Sequence, residues 1–433
     1  MQTLEQLRNG ELKGAVSLKL SEGLSQFPNE IFDLADTLEK LDLSCNKLSE
    51  LPADFGRLKK LKILFCSENL FTVLPEVLAD CPLLDIVGFK SNIIEKVPAK
   101  ALNTNIRWLI LTNNKIIELP TQIGNCSRMQ KLMLAGNKLK ELPAELSNCN
   151  NLSLLRIAAN QLSQLPKWLL NMPKLSWLAF SGNSFNIKPK INTIPLIHHE
   201  QLEMSHQLGE GASGIISKAN WRVNDQRKEV AIKIFKGAVT SDGLPEDEML
   251  TYIAAGSHHG LVKLLGQVSA HPEGKQGLVM ELISHRFFNL GNPPNFVSCT
   301  RDVFDESMRL SVQQVIKIAT TIASLAAQLH EKGVMHGDLY AHNILIDEDG
   351  NTLFGDFGAA CFYDKIDEEL SKALERIEVS AYGYLLDDLL TLCEKTVKDQ
   401  PLLKLKSLRD ACIGSDVKAR PEFRFIANEM LKL

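Results

Sequence analysis

The sequence predicts two unlike halves, an α/β solenoid of short parallel strands followed by an α+β domain. Three observations carry this reading. Asparagines recur at Asn46, Asn69, Asn92, Asn114, Asn137, Asn160 and Asn183, with steps of 23, 23, 22, 23, 23 and 23 residues. The glycines Gly209, Gly211 and Gly214 precede a β-branched stretch, Val230-Ala231-Ile232, that ends at Lys233. Two acidic motifs, around Asp338 and Asp356, follow towards the C-terminus.

A chain of 433 residues exceeds one domain on a prior of roughly 150 residues each. Hydrophobic residues make up 45%, charged residues 23%, and the net charge is -4, which is globular composition without a large basic surface for nucleic acid. The first residues carry Glu5, Arg8 and Glu11 and no apolar run, so no signal peptide is expected. No uninterrupted apolar stretch is long enough to span a bilayer, and the expectation is a soluble, cytoplasmic protein. Nine cysteines lack CxxC pairs and histidine spacing, so they read as reduced thiols; Cys81, Cys126 and Cys149 recur at equivalent repeat positions as small buried groups.

Each asparagine sits in the frame LxxLxLxxNxLxxLP, as in Leu38, Leu41, Leu43, Asn46, Leu48, Leu51 and Pro52, and again from Met129 to Pro143. This frame resembles leucine-rich repeats over about residues 15–187. The alternating leucines point inward from a short strand, and the asparagine satisfies backbone groups between neighbouring coils. One coil cannot bury its leucines, so stacking makes the core. Side chains between the leucines are expected to face outward: Lys40, Ile63, Ile86, Trp108, Lys131, Leu154 and Trp177 in one column, and Asp42, Phe65, Gly88, Ile110, Met133, Arg156 and Ala179 in the next. This apolar face predicts docking of a protein substrate or regulator through Phe65, Trp108, Ile110, Met133, Arg156 and Trp177.

The repeat pattern decays after Asn183, and Lys188, Pro189, Lys190, Pro195, His198 and His199 read as a cap and short linker. The expected division is 1–187 for the repeats, 188–202 for the linker and 203–433 for the second domain.

That domain opens with Gly209, Gly211 and Gly214 in GxGxxG, which alone also fits a dinucleotide site. Lys233, about twenty residues on, decides otherwise, because a dinucleotide site expects an acidic residue there whereas a lysine suits the α- and β-phosphates of ATP. Downstream stand His336-Gly337-Asp338, Asn343, and Asp356-Phe357-Gly358. In this order the motifs resemble a two-lobed protein kinase, so the whole chain reads as an α/β leucine-rich-repeat solenoid followed by an α+β protein-kinase-like domain. The resemblance implies Gly209, Gly211 and Gly214 as the loop over the phosphates, Lys233 paired with Glu248 (Glu246 fits the spacing less well), and Asp338 as the base for the acceptor hydroxyl. It implies Asn343 and Asp356 as magnesium ligands, and Ile216, Ala231, Met280, Glu281, Ile283 and Leu345 around the adenine. The expected activity is phosphoryl transfer to serine or threonine, with ATP and magnesium. No nucleic acid or membrane partner is expected.

Three departures from the family stand out. Gly337 replaces the arginine that in many kinases pairs with a phosphorylated activation loop, so control by that route is not expected. No Ala-Pro-Glu follows Gly358, and Arg420 lacks the glutamate it would meet; Ile377–Gly383 is read as the start of the lobe's central helix. Tyr340-Ala341-His342 carries no lysine, and His342 stands as a substitute cation. His-Gly-Asp with a short activation segment also resembles small-molecule phosphotransferases, so that activity and a non-catalytic scaffold remain alternatives. Helical spacing from Val312 to Leu329 predicts a long helix over residues 310–332, and 284–307 reads as an irregular insertion.

Overall fold

The computed structural model describes all residues except 1, 187, 189–192, 212, 225, 238, 241 and 395–399. They divide into two compact units, one running to Met172 with Asn183–Phe185, the other holding Pro173–Gly182 with Asn186–Leu433. Pro189 and Lys190 of the expected linker lie outside the described residues.

The first unit opens with helix α1 (Leu4–Arg8) and stacks seven three-residue strands: β1 (Ser17–Lys19), β2 (Lys40–Asp42), β3 (Ile63–Phe65), β4 (Ile86–Gly88), β5 (Trp108–Ile110), β6 (Lys131–Met133) and β7 (Leu154–Arg156). They pair in parallel with an unbroken register, Leu41 beside Leu64, Leu64 beside Val87 and Leu109 beside Leu132. The central residue of each strand is fully buried. Short 3-10 turns on the return path begin just after prolines such as Pro75, Pro98, Pro120 and Pro143. The proline fixes φ where the turn starts and removes an amide that the turn would leave unpaired.

The asparagines form the ladder that the period implies. The Asn137 amide donates to Leu111 O and Leu134 O, each at 2.9 Å, and its Oδ1 accepts from Ile116 N at 3.0 Å. Asn160 repeats this with Leu134 O, Ile157 O and Leu139 N. Each side chain therefore satisfies backbone groups in two adjacent coils, which no aliphatic residue could do. Cys81 and Cys149 are fully buried and Cys126 is 1% exposed; their thiols lie near carbonyls of the preceding coil, and burial pushes the thiols up to about 11, 12 and 11 respectively. All nine cysteines are free thiols.

The outward columns are less open than expected. Phe65, Trp108, Ile110 and Met133 keep partial exposure, whereas Ile86, Gly88, Lys131, Leu154 and Arg156 are buried. Gly88 is glycine because the Phe65 ring lies over it; a Cβ there would come within 2.5 Å of that ring. The Lys131 ammonium sits 4.4 Å above the Trp108 ring, a cation–π contact that draws the lysine down onto the face. Arg156 and Trp177, each 1% exposed, are not available for docking.

The second unit begins with β8 (Trp177–Ala179) and continues into a small lobe of β9 (Leu196–His198), β10 (Leu202–Glu210), β11 (Gly214–Val223), β12 (Gln226–Phe235), helix α2 (Pro245–Ala255), β13 (Leu264–Ser269) and β14 (Gly277–Glu281). Six of these strands form one sheet in the order β10-β11-β12-β14-β13-β9. The stretch expected as linker thus contributes an edge strand, β9, parallel to β13. The cause is burial, since Ile197 packs with Val268, Val279 and Leu202 in the core of this lobe.

The large lobe holds β15 (Phe288–Asn289), α3 (Val312–Glu331), β16 (Val334–Met335), β17 (Ile344–Ile346), β18 (Thr352–Phe354), β19 (Cys361–Phe362), α4 (Glu368–Leu392), α5 (Gln400–Cys412) and α6 (Phe423–Met430). Helix α3 starts at a capping box in which Ser311 and Gln314 each accept the other's backbone amide. It buries Val315, Ile318, Ile322, Leu325 and Leu329 on one stripe. Ile377–Gly383 lies inside α4 rather than at its start, because Asp367 caps the helix by accepting Leu370 N at 3.0 Å and Glu368 and Glu369 occupy its first turn. The 284–307 stretch contributes the short strand β15, paired with β17, and an isolated antiparallel bridge between Asn292 and Val303.

Candidate functional site

The β10–β11 hairpin carries the three glycines. Gly209 and Gly211 have open space where a Cβ would stand, whereas a Cβ on Gly214 would meet Ile234 O at 2.6 Å. The first two leave room above the hairpin, and the third lets β11 lie close on β12. Lys233 projects from β12 and forms an ion pair with Glu248 of α2. Burial pushes the Glu248 carboxyl up and nearby Asp356 adds to this, against the pull of Lys233. Glu246, two residues earlier, is exposed and paired with Lys188 instead, which assigns the helix partner of Lys233 to Glu248.

A cavity of about 180 Å³ is lined by Gly211, Gly214, Ile216, Lys233, Asp356 and Gly358, among others. It joins the hairpin, the lysine and the second acidic motif in one place. Asp356 has left-handed backbone, φ 53, and its Oδ1 accepts Gly358 N at 3.2 Å. Phe357 beside it stacks on Tyr252 of α2 at 4.7 Å. The amide of Asn343 donates to both the carbonyl and Oδ2 of Asp338, each at 2.9 Å, which fixes the orientation of that side chain. Ala231 and Met280 face one another across β12 and β14 and are both buried, while Glu281 is exposed and Ile283 and Leu345 are partly exposed. Of the residues assigned to adenine, only Ile216 lines the cavity.

His336 stacks on Phe354 at 4.0 Å and is held below its ordinary pKa by burial. It accepts Asp338 N on Nδ1 at 3.3 Å and therefore donates from Nε2 to Gly355 O at 3.1 Å, tying the two acidic motifs together. His342 is held by Asp302, whose Oδ1 lies 2.7 Å from Nδ1 and whose Oδ2 accepts His342 N at 3.0 Å. Burial opposes the imidazolium, but Asp302, with Asp338 and Asp356 further off, raises its pKa overall.

Among known proteins, residues 202–382 match the family described as protein tyrosine and serine/threonine kinase, and residues 37–58 match the leucine-rich repeat family. The chain combines leucine-rich repeats with a protein-kinase domain. A probable serine/threonine-protein kinase of Dictyostelium discoideum is 28% identical over 251 residues, covering 52% of this chain and 14% of the relative. A tyrosine-protein kinase receptor of Danio rerio is 27% identical over 176 residues, 40% of this chain and 20% of the relative. A mouse leucine-rich repeat and calponin homology domain-containing protein is 31% identical over 111 residues, 25% of this chain and 16% of the relative. The chain thus spans a fifth or less of the length of each of these relatives.

Sequence reasoning missed the carboxylate that anchors the loop leading to Asp338. Glu378 of α4, 1% exposed, accepts Gly337 N at 2.6 Å, His336 N at 3.2 Å and a bond from His330 Nε2 at 2.7 Å. Burial alone would raise this carboxyl, but His330, His336 and the Gly337 amide hold it below its ordinary value. Its only sequence signal was an acidic residue on an otherwise apolar helical stripe. The structure also explains the missing arginine: Gly337 has φ +74, and a Cβ would meet Leu178 O at 2.6 Å and Ala359 O at 2.7 Å. Arg420, without its glutamate, donates instead to the carbonyls of Gly414, Arg376 and Pro173.

No helix among the described residues is long and apolar enough to cross a membrane.

Proposed function

We propose that the kinase domain transfers the γ-phosphoryl group of ATP, with magnesium, to a serine or threonine hydroxyl of a protein, and that the repeat face docks this substrate or a regulator. The observation that carries this reading is the convergence of the glycine hairpin, the Lys233–Glu248 pair and Asp356 on one cavity. In this scheme Lys233 holds the α- and β-phosphates and Asp338 takes the acceptor proton as its oxygen bonds phosphorus and ADP departs. Among the described residues, no three His, Cys, Asp or Glu side chains are placed to hold a metal by themselves. One carboxylate and one amide oxygen still fit magnesium, which keeps several waters and takes phosphate oxygens. Asn343 and Asp356 would hold the ion, which when bound neutralises charge on the transferring group.

Serine or threonine is favoured by the longer alignment to the Dictyostelium kinase. Docking falls to Phe65, Trp108, Ile110 and Met133, which remain partly exposed. Nine thiols without a disulfide support a reducing, cytoplasmic setting. The test is labelled ATP with the full chain and a cell extract. Label in protein on serine or threonine supports the proposal, and label confined to small molecules replaces it with a metabolite phosphotransferase. No label in either rejects both. Trp108→Ala is expected to lower protein labelling without changing ATP affinity, and unchanged labelling removes the docking role.

A further inference from the structure

The segment Pro173–Gly182 makes a set of contacts that converge on the catalytic loop. Trp177 Nε1 donates to Leu339 O at 3.0 Å, the carbonyl next to Asp338. Its ring stacks on Tyr340 at 4.3 Å with planes 6° apart, and on Tyr384 of α4 at 5.5 Å. Ser176 Oγ lies 2.9 Å from Ser380 Oγ, Phe180 N donates to Cys361 Sγ at 3.1 Å, and Pro173 O accepts from Arg420 at 2.5 Å. Asp338 is thus flanked by Gly337, pressed under Leu178 O, and by Leu339 and Tyr340, both gripped by Trp177.

The stretch after the second acidic motif offers no alternative support of the usual kind. Residues 356–367 contain no serine or threonine. Their tyrosine, Tyr363, is committed to His330, with Nδ1 at 2.8 Å and the carbonyl at 3.1 Å from its hydroxyl. Neither a phosphate acceptor free to be modified nor the arginine that would bind the phosphate is present.

We propose that Trp177 is a positioning residue for phosphoryl transfer: its indole donor and ring fix the loop that presents Asp338, a task that needs no phosphorylation in this chain. This rests on the function proposed above. An indole has a single donor, so its bond to Leu339 O sets the ring's position as well as its plane. A reacting carboxylate displaced by about 1 Å costs on the order of 100-fold in rate. Bound nucleotide is held on the other side of the cleft by Lys233 and the hairpin, so its affinity is expected to be insensitive to Trp177.

The test compares the full chain with Trp177→Phe, which keeps stacking but removes the donor, and with Trp177→Ala. Three readings are made: ADP production with magnesium, the KM for ATP, and amide hydrogen exchange across residues 336–343. Trp177→Phe is expected to lower kcat about 10- to 100-fold with KM unchanged and to speed exchange in the loop, with Trp177→Ala further in the same direction. Phosphatase treatment of the wild type is expected to leave kcat unaltered. An unchanged kcat in Trp177→Phe overturns the proposal, and so does a loss of kcat matched by weaker nucleotide binding, which marks general loosening. If the wild type itself turns over no ATP, the proposed function fails, and loop exchange equal in wild type and Trp177→Phe overturns the positioning role independently.

Discussion

The repeat unit and the loop around Asp338 solve the same problem, satisfying buried backbone groups with side chains, in opposite ways. In the repeats one residue type does so by translation: Asn46, Asn69, Asn92, Asn114, Asn137 and Asn160 each bridge two coils with nearly the same bonds. In the loop two unlike carboxylates do so, Glu378 taking two backbone amides and an imidazole and Asp302 the amide and imidazole of His342. Redundancy spreads the cost of a lesion along the solenoid, whereas the loop concentrates it.

Four expected outcomes sharpen or break that contrast. Asp338→Asn is expected to reduce phosphoryl transfer by about 10²- to 10⁴-fold while leaving ATP binding near wild type; equal turnover, measured with labelled ATP, would remove Asp338 as the base. Next in size is Gly337→Ala, which adds a methyl between two carbonyls at positive φ, and backbone strain alone costs about 1–3 kcal/mol. Gly23→Ala is its control, with φ +70 but nothing within 4 Å. Denaturant midpoints should fall further for Gly337→Ala, and identical shifts would mean that crowding at the loop adds nothing.

Asn137→Ala leaves Leu111 O, Leu134 O and Ile116 N without this partner, a loss of about 1–3 kcal/mol. Asn114→Ala, in the neighbouring coil, should match it closely, and strongly unequal losses by calorimetry would contradict an evenly shared ladder. The smallest effect concerns acid. Burial, with His259 and Lys332 nearby, lowers the His258 pKa to about 4. The unfolded chain therefore takes up this proton first, so stability is full above about 6.5 and declines as pH falls towards about 4. His258→Gln should flatten part of that decline in urea titrations at stepped pH, and an unaltered profile would assign it to other groups.

The parts of the site that were readable beforehand are those carried by local spacing. The glycine hairpin, Lys233 and the Asp356 motif each announce themselves within a few residues, and they do share a cavity. The buried strand leucines and the asparagine ladder were equally readable, because a period of 23 residues is a property of the chain alone. Exposure of the strand columns was not. Phe65 lies over Gly88 and Lys131 over Trp108, so whether a side chain faces solvent depended on its neighbour one coil away. Likewise β9 looked like linker because proline and histidine dominate its surroundings, and only its pairing with β13 made Ile197 a core residue.

By itself the sequence determined the two kinds of unit, the frame of the repeats and the order of the kinase-like motifs, all of which are local patterns of residue type. Tertiary structure alone decided why Gly337 stands where an arginine was expected, what Arg420 binds, and that Glu378 and Trp177 grip the loop around Asp338. The physical reason is range: Trp177 lies 162 residues from Leu339 in the chain, yet their hydrogen bond is 3.0 Å long. Such a contact leaves no periodicity or spacing to read, because it exists only once both segments have folded onto the same helices.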